Sequence, residues 1–256
     1  MVVFFIFYVI IFLMVGGNMK KKYLFLCLFL IVMIFILVFI LFGNNEQNNT
    51  TVKGEKELGL KQLPNPEVTG GERGKLGIDK NINELTIDDY LGRPDSIYRD
   101  MRMLKDPGNY EAIGGDSYLS GFVDGFEVIP YPYLAEVKGL PPEVGDSYTG
   151  KALFTMLDDG NYKANYLESM DILEYFFPKD KYIFLMCGGG GYAGMTKKLL
   201  VALGWNADMI YNVGGYWYYN GENNIEVKRN IDGKVKYDFW KVTYHNIDFD
   251  SLTEVE

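Results

Sequence analysis

The chain has 256 residues, with 25 Lys and Arg against 34 Asp and Glu and a formal net charge of −9. That balance excludes a nucleic-acid grip built on a basic stripe, and a flat approach to an anionic membrane surface. Two cysteines and one histidine, with no CxxC or HxxxH spacing, leave no disulfide framework; no metal and no cofactor are expected.

The chain opens on an apolar stretch, Val2 to Val15, followed by the basic patch Lys20–Lys22 and then an uncharged run from Tyr23 to Phe42. The run is long enough for one crossing of a bilayer. The lysines before it put its N-terminal side in the cytoplasm. A cleaved signal peptide is the alternative, but no small-x-small site closes the run. A lipid-modified Cys27 is disfavoured by the bulky Leu26 and by the short apolar stretch before it. Met19 opens a conventional anchored start, so residues 1–18 are either a misplaced start or a second apolar segment. The expectation is a membrane anchor over 1–43 and a single-pass protein whose folded part lies outside the cytoplasm.

Residues 44–81 are rich in Asn, Gln, Glu, Gly and Lys and read as a flexible spacer. The remainder is one domain in size, divided into a main domain over 82–222 and a C-terminal extension over 223–256. Leu85 to Tyr90 suits a short helix with acidic residues in its first turn, stopped by Gly92-Arg93-Pro94. Ser96 to Met103 reads as a strand, and Asp106-Pro107-Gly108-Asn109 as a turn. Tyr118 to Gly125 is glycine-rich and aromatic, and Phe126 to Ile129 ends at Pro130. Leu153 to Leu157 is a short apolar run closed by Asp158-Asp159-Gly160. Asn165 to Phe177 carries apolar residues at helical spacing. Tyr182 to Met186 reads as a fully buried strand. A helix is expected from about Ala193 to Leu203, with Gly204 as its C-cap, then a strand over Met209 to Val213. Helices alternating with apolar strands predict an α/β fold with a mostly parallel sheet. Asn224 to Arg229 and Lys234 to Phe239 flank Ile231-Asp232-Gly233 as a β-hairpin.

The sequence from Cys187 to Ala193 concentrates the chemistry. Cys187 ends the apolar strand, Gly188, Gly189, Gly190 and Gly191 follow, and Tyr192 and Ala193 lead into the helix. A glycine loop between strand and helix leaves backbone N–H groups free to cradle an anion. A thiol there is expected to have a lowered pKa and to act as nucleophile. The one histidine, His245, sits in a polar-flanked tail and reads as a surface residue, so a Cys–His pair is not favoured.

In order and spacing, the stretch from Ile97 to Gly221 resembles a rhodanese-like domain of the sulfurtransferase superfamily. Asp100-Met101-Arg102 stands at the family's Asp-x-Arg. Gly121 to Phe126 followed by Ile129-Pro130 stands at its Gly-His-Ile-Pro-Gly-Ala and Ile-Pro. Cys187 to Gly194 is the active loop, Leu200 to Trp205 the end of the next helix, and Gly214-Gly215 with Trp217 the closing segment. The sequence departs from the pattern at Phe122, where the family has histidine, and at Tyr192, where the loop has arginine. A tyrosine donates a hydrogen bond but carries no charge, which argues against thiosulfate as donor and against a Cys-x5-Arg phosphatase.

The resemblance implies a central mostly parallel sheet flanked by helices, preceded by the anchor and followed by the hairpin. It implies a transferase that forms a persulfide on Cys187 and passes the sulfur to a small-molecule or protein thiol. Gly188 to Ala193 would cradle the charge, with Asp100, Arg102, Gly214, Gly215 and Trp217 supporting or lining the pocket. Two alternatives stay open: a non-catalytic rhodanese-like binding module, and a single-thiol redox sensor.

Overall fold

The computed structural model describes residues 60–108, 110–142 and 148–256. The chain divides into two units, 1–62 and 63–256, and the second is described below. The anchor expected over 1–43 lies outside the described residues. Among the described residues no helix is long and apolar enough to cross a membrane. The expected single-pass anchor, and with it the placement outside the cytoplasm, is therefore not retained.

Within the second unit a four-residue helix, α1 (Gly71–Gly74), comes first. Strand β1 (Ser96–Asp100) is followed by β2 (Gly121–Val123), β3 (Glu127–Val128) and helix α2 (Tyr131–Leu134). Strands β4 (Phe154–Met156) and β5 (Tyr162–Ala164) precede helix α3 (Ser169–Phe176). Then come β6 (Tyr182–Cys187), α4 (Gly191–Ala202) and β7 (Ile210–Gly215). Three short strands close the order: β8 (Asn224–Glu226), β9 (Lys228–Ile231) and β10 (Lys234–Tyr237).

The expectation of one mostly parallel sheet is corrected to a mixed arrangement. Four strands form a parallel sheet in the order β3-β1-β6-β7, and six others form antiparallel pairs: β2 with β8, β4 with β5, β9 with β10. Asn224 to Glu226, read as part of the C-terminal hairpin, pairs instead with β2, and only β9 and β10 make the hairpin around Asp232-Gly233. Residues 63–81, read as the end of a spacer, pack on the sheet. Leu63 and Ile78 are buried, Tyr211 Oη donates to the Pro64 carbonyl at 2.7 Å, and Asn212 Nδ2 donates to the Leu76 carbonyl at 2.9 Å. The low apolar content of that segment hid a few well-placed anchors.

The sheet is covered on both faces, as a parallel sheet must be. Successive residues of β6 point to opposite sides. Ile183, Leu185 and Cys187 join a core cluster with Ala193, Leu199 and Leu200 of α4. Phe184 and Met186 join a second cluster with Tyr98, Phe126, Tyr211 and Val213. On that second face three rings stack in sequence across the sheet, with centroids 5.2 Å apart for Tyr98–Phe184 and 5.0 Å for Phe184–Tyr211.

Helix α4 buries Ala193, Thr196, Leu199 and Leu200, a spacing that lines one side of a 3.6-residue helix. Thr196 Oγ1 donates to the Tyr192 carbonyl at 2.8 Å, so its burial costs little. Gly204, just past the end, holds φ +98, the left-handed conformation that terminates helices.

The chain order inside the parallel sheet positions the site. From β1 the chain moves to β3 on one side, and later from β6 to β7 on the other. The reversal point lies between β1 and β6, which pair in register from Ser96–Tyr182 to Asp100–Met186. In open α/β sheets the crevice outside the carboxyl ends at such a point is where ligands bind.

Candidate functional site

A cavity of about 240 Å³ lies where that rule places one. Its wall takes Arg102 and Met103 from the chain leaving β1 and Cys187 from the end of β6. Tyr192 and Met195 come from α4, and Trp217 from beyond β7. Most of the remaining wall comes from the loop between β1 and β2, including Asp106, Tyr110, Tyr118 and Leu119.

Cys187 sits at the floor and is 3% exposed. Its Sγ accepts a hydrogen bond from the Gly190 N–H at 3.1 Å. Burial nevertheless pushes the thiol pKa above its ordinary value; the Ala193 and Gly190 N–H groups and Arg102 pull it down, and Asp100 adds to the rise. The expected lowering is thus corrected. Removing a thiolate from water outweighs the donors that a strand-to-helix turn supplies.

The glycines serve packing more than anion binding. A Cβ on Gly188 would lie 2.4 Å from Trp217 Cζ2, so the indole rests directly on the loop backbone. The Trp217 backbone N–H donates to the Gly188 carbonyl at 3.1 Å and holds that contact. Gly190, at φ +96, makes the left-handed turn into α4. What the sequence presents as an open nest is a surface covered by an aromatic ring.

Tyr192 turns away from any charge-binding role. Its hydroxyl donates to Asp106 Oδ2 at 3.0 Å and lies 3.4 Å from Tyr110 Oη. Its ring stacks on Tyr131, with centroids 5.5 Å apart. Burial, then the neighbouring Asp106 charge, pushes its hydroxyl far above the usual tyrosine range. Asp106 also accepts from the Gly108 N–H at 2.7 Å.

Asp100 and Arg102 form a buried ion pair. Arg102 Nη2 lies 2.5 Å from Asp100 Oδ2, its Nε donates to both carboxylate oxygens, and Nη2 also donates to the Gly121 carbonyl at 2.8 Å. The guanidinium stacks over the Tyr216 ring at 4.5 Å. This leaves Arg102 Nη1 buried and without a hydrogen-bond partner, and Trp217 Nε1 is in the same state.

Gly214 and Gly215 end β7 and stay outside the cavity wall. Gly215 pairs with Cys187, and a Cβ on it would lie 2.1 Å from the Gly188 carbonyl oxygen. Those glycines let β7 and the loop approach. Of the aromatic residues around them only Trp217 lines the cavity. Tyr211 lies in the sheet core, Tyr218 stacks under Arg73, and Tyr219 bonds Asp88. His245 sits elsewhere, 2.9 Å from Glu127 Oε2. Sequence reasoning missed Asp106, Tyr110, Met103 and Met195. The first reads as an ordinary Asp-Pro-Gly turn, and the others as scattered core residues; nothing local marks them as walls of one cavity.

No family model, no curated protein and no solved structure matches this chain. The rhodanese-like resemblance is therefore withdrawn. The persulfide-forming sulfurtransferase and its thiol substrates go with it, as do the non-catalytic rhodanese-like module and the redox sensor. The structure supplies a physical reason as well: the thiol is buried with a raised pKa, the loop is roofed by an indole, and Tyr192 is committed to Asp106. Among the described residues no group of three or more His, Cys, Asp or Glu could hold a metal ion.

Proposed function

We propose that the second unit is a binding domain for a small, mainly apolar organic molecule, taken into the cavity over Cys187. One observation carries the reading: a cavity of about 240 Å³ with aromatic and aliphatic walls at the carboxyl ends of β1 and β6. An apolar cavity of about 150 Å³ is enough to take a benzene ring. The space here therefore suits one ring with a short substituent, and it falls below the usual range of drug-sized pockets. Cys187, Tyr192, Arg102 and Trp217 form part of the wall, and the protonated thiol acts as a small apolar surface with a weak donor.

The test uses the alkylation of Cys187, followed by mass spectrometry of its peptide. Ethylbenzene and acetophenone should slow alkylation by iodoacetamide and raise the unfolding midpoint together, because a ligand that binds only the folded state stabilises it. Unchanged alkylation and an unchanged midpoint with both probes at saturation would overturn the reading.

A further inference from the structure

We infer that the molecule taken into this cavity is longer than the cavity itself: an amphiphile that enters by its apolar end and whose alkyl chain leaves across Leu76, Ile113 and Met195. The inference rests on the cavity being a binding site. Three of its lining residues are large apolar side chains open to solvent: Leu76 at 44%, Ile113 at 61% and Met195 at 38%. A residue that both lines a cavity and meets solvent stands at its mouth. Single exposed apolar side chains are ordinary; three from separate segments around one opening make a patch that marks a binding groove.

The rim is assembled from distant parts of the chain. Leu76 follows α1, Ile113 ends the short helical turn Glu111–Ile113 between β1 and β2, and Met195 stands near the start of α4. The Leu76 backbone lies against α4 beside Met195: a Cβ on Gly194 would sit 2.1 Å from the Leu76 carbonyl oxygen. Behind the rim the inner wall includes Met103, Leu119 and Cys187, all buried. Apolar side chains therefore line the path from the floor of the cavity to its mouth, and a chain that follows them stays on apolar surface.

The surroundings of the mouth choose the occupant. Lys75, Glu111 and Lys198, all exposed, stand within three residues of Leu76, Ile113 and Met195, so charged, solvated groups bound the patch. A protein interface needs about 800 Å² on each side, more than three bounded side chains supply, whereas a short alkyl chain is matched to them. The direction follows from the cost of burying a polar end among aliphatic side chains. The apolar end goes in, and the polar end stays in water beside the rim.

Phenylethanol, phenylbutanol and phenylhexanol, each with its hydroxyl at the chain end, titrated calorimetrically into the full chain, test this. The ring suits the cavity, and the series lengthens only the chain. Affinity should rise about twofold per added methylene, the effect of half-burying each one, and so roughly tenfold or more across the series. Ile113→Asn combined with Met195→Gln alters only exposed side chains, where substitutions cost little stability. The double variant should lose about fivefold more affinity for phenylhexanol than for phenylethanol. Equal affinity across the series overturns the amphiphile and leaves the small apolar site standing. A rise with length that the double variant keeps overturns the rim as the path of the chain. Sedimentation that shows a dimer, dissociated in the double variant, gives the rim to a second copy and overturns the inference. No binding by any of the three overturns the site itself.

Discussion

The two faces of the parallel sheet use the same strand in opposite ways. On one face Phe184 stands between Tyr98 and Tyr211, and the stacked rings fill the space. On the other, Ile183 and Leu185 pack under α4, but the row ends in Cys187, a smaller side chain, at the edge of an open cavity. The first face also ties its hydroxyls to the backbone: Tyr98 Oη to the Tyr90 carbonyl at 2.5 Å and Tyr211 Oη to the Pro64 carbonyl. The second leaves two donors unpaired. Arg73 Nε and Nη2, away from that cavity's wall, are in the same state.

Substitutions on the two faces should separate accordingly. Phe184→Ala removes the middle ring of the stack and should cost about 3–5 kcal/mol in urea unfolding, with the cavity's response to acetophenone kept by whatever chain remains folded. A loss under 1 kcal/mol would show that the stack is not a rigid face. Gly188→Val drives a side chain into the Trp217 ring and should cost about 1–3 kcal/mol. It should also abolish protection of Cys187 by acetophenone; protection retained would mean that the indole does not form the cavity wall.

The thiol gives a pH signature that belongs to the cavity face. Burial raises the Cys187 pKa in the folded chain, so above the unfolded value of about 8.5 the unfolded chain releases a proton that the folded chain keeps. Stability is then fully present below that pH and falls as pH rises, by at most about 1.4 kcal/mol per pH unit. Above about 10 the buried tyrosines Tyr131 and Tyr192, also raised, add slopes of the same sign. The window from about 8.5 to 10 lies below the tyrosines but is open to Lys197, whose pKa burial lowers, so the thiol is isolated by difference from a variant that lacks it. Comparing wild type with Cys187→Ala by urea unfolding across it should show a shallower slope in the variant; equal slopes would mean that the thiol is not buried in solution.

The smallest effect is expected at the sheet edge, away from both faces' cores. His245 is partly exposed and pairs with Glu127, which also meets Arg99 at 2.9 Å. His245→Gln should change stability by no more than about 1 kcal/mol and leave the alkylation rate of Cys187 unaltered.

Much of the parallel sheet was legible in the sequence because its strands are short, apolar and bounded. Tyr182 to Met186 sits between Pro178-Lys179-Asp180-Lys181 and a glycine run, and the helix after it ends at a glycine with φ +98. The pairing of β8 with β2 was not legible. Asn224 to Glu226 alternates equally well beside a hairpin partner, and only long-range packing against Gly121 to Val123 decides between them.

At the cavity the sequence grouped Cys187, its glycines and Trp217, and misjudged the surroundings of the thiol. Cys187, its glycines and Trp217 are close along the chain, so their grouping is local and readable. Whether a thiol at a helix start is acidified depends on how far it is removed from water, a property of the whole fold. Here the loop between β1 and β2, α4 and the Trp217 ring close over it together.

The sequence by itself determined the strand ending at Cys187, the helix after it and the strand beginning at Ile210, because periodicity and breakers act over a few residues. Only the tertiary structure decided that the glycine loop carries an indole, that Arg102 keeps one nitrogen unpaired, and that Asp106 shares its wall. Those are facts of burial and approach between segments distant in the chain, and no local pattern encodes them.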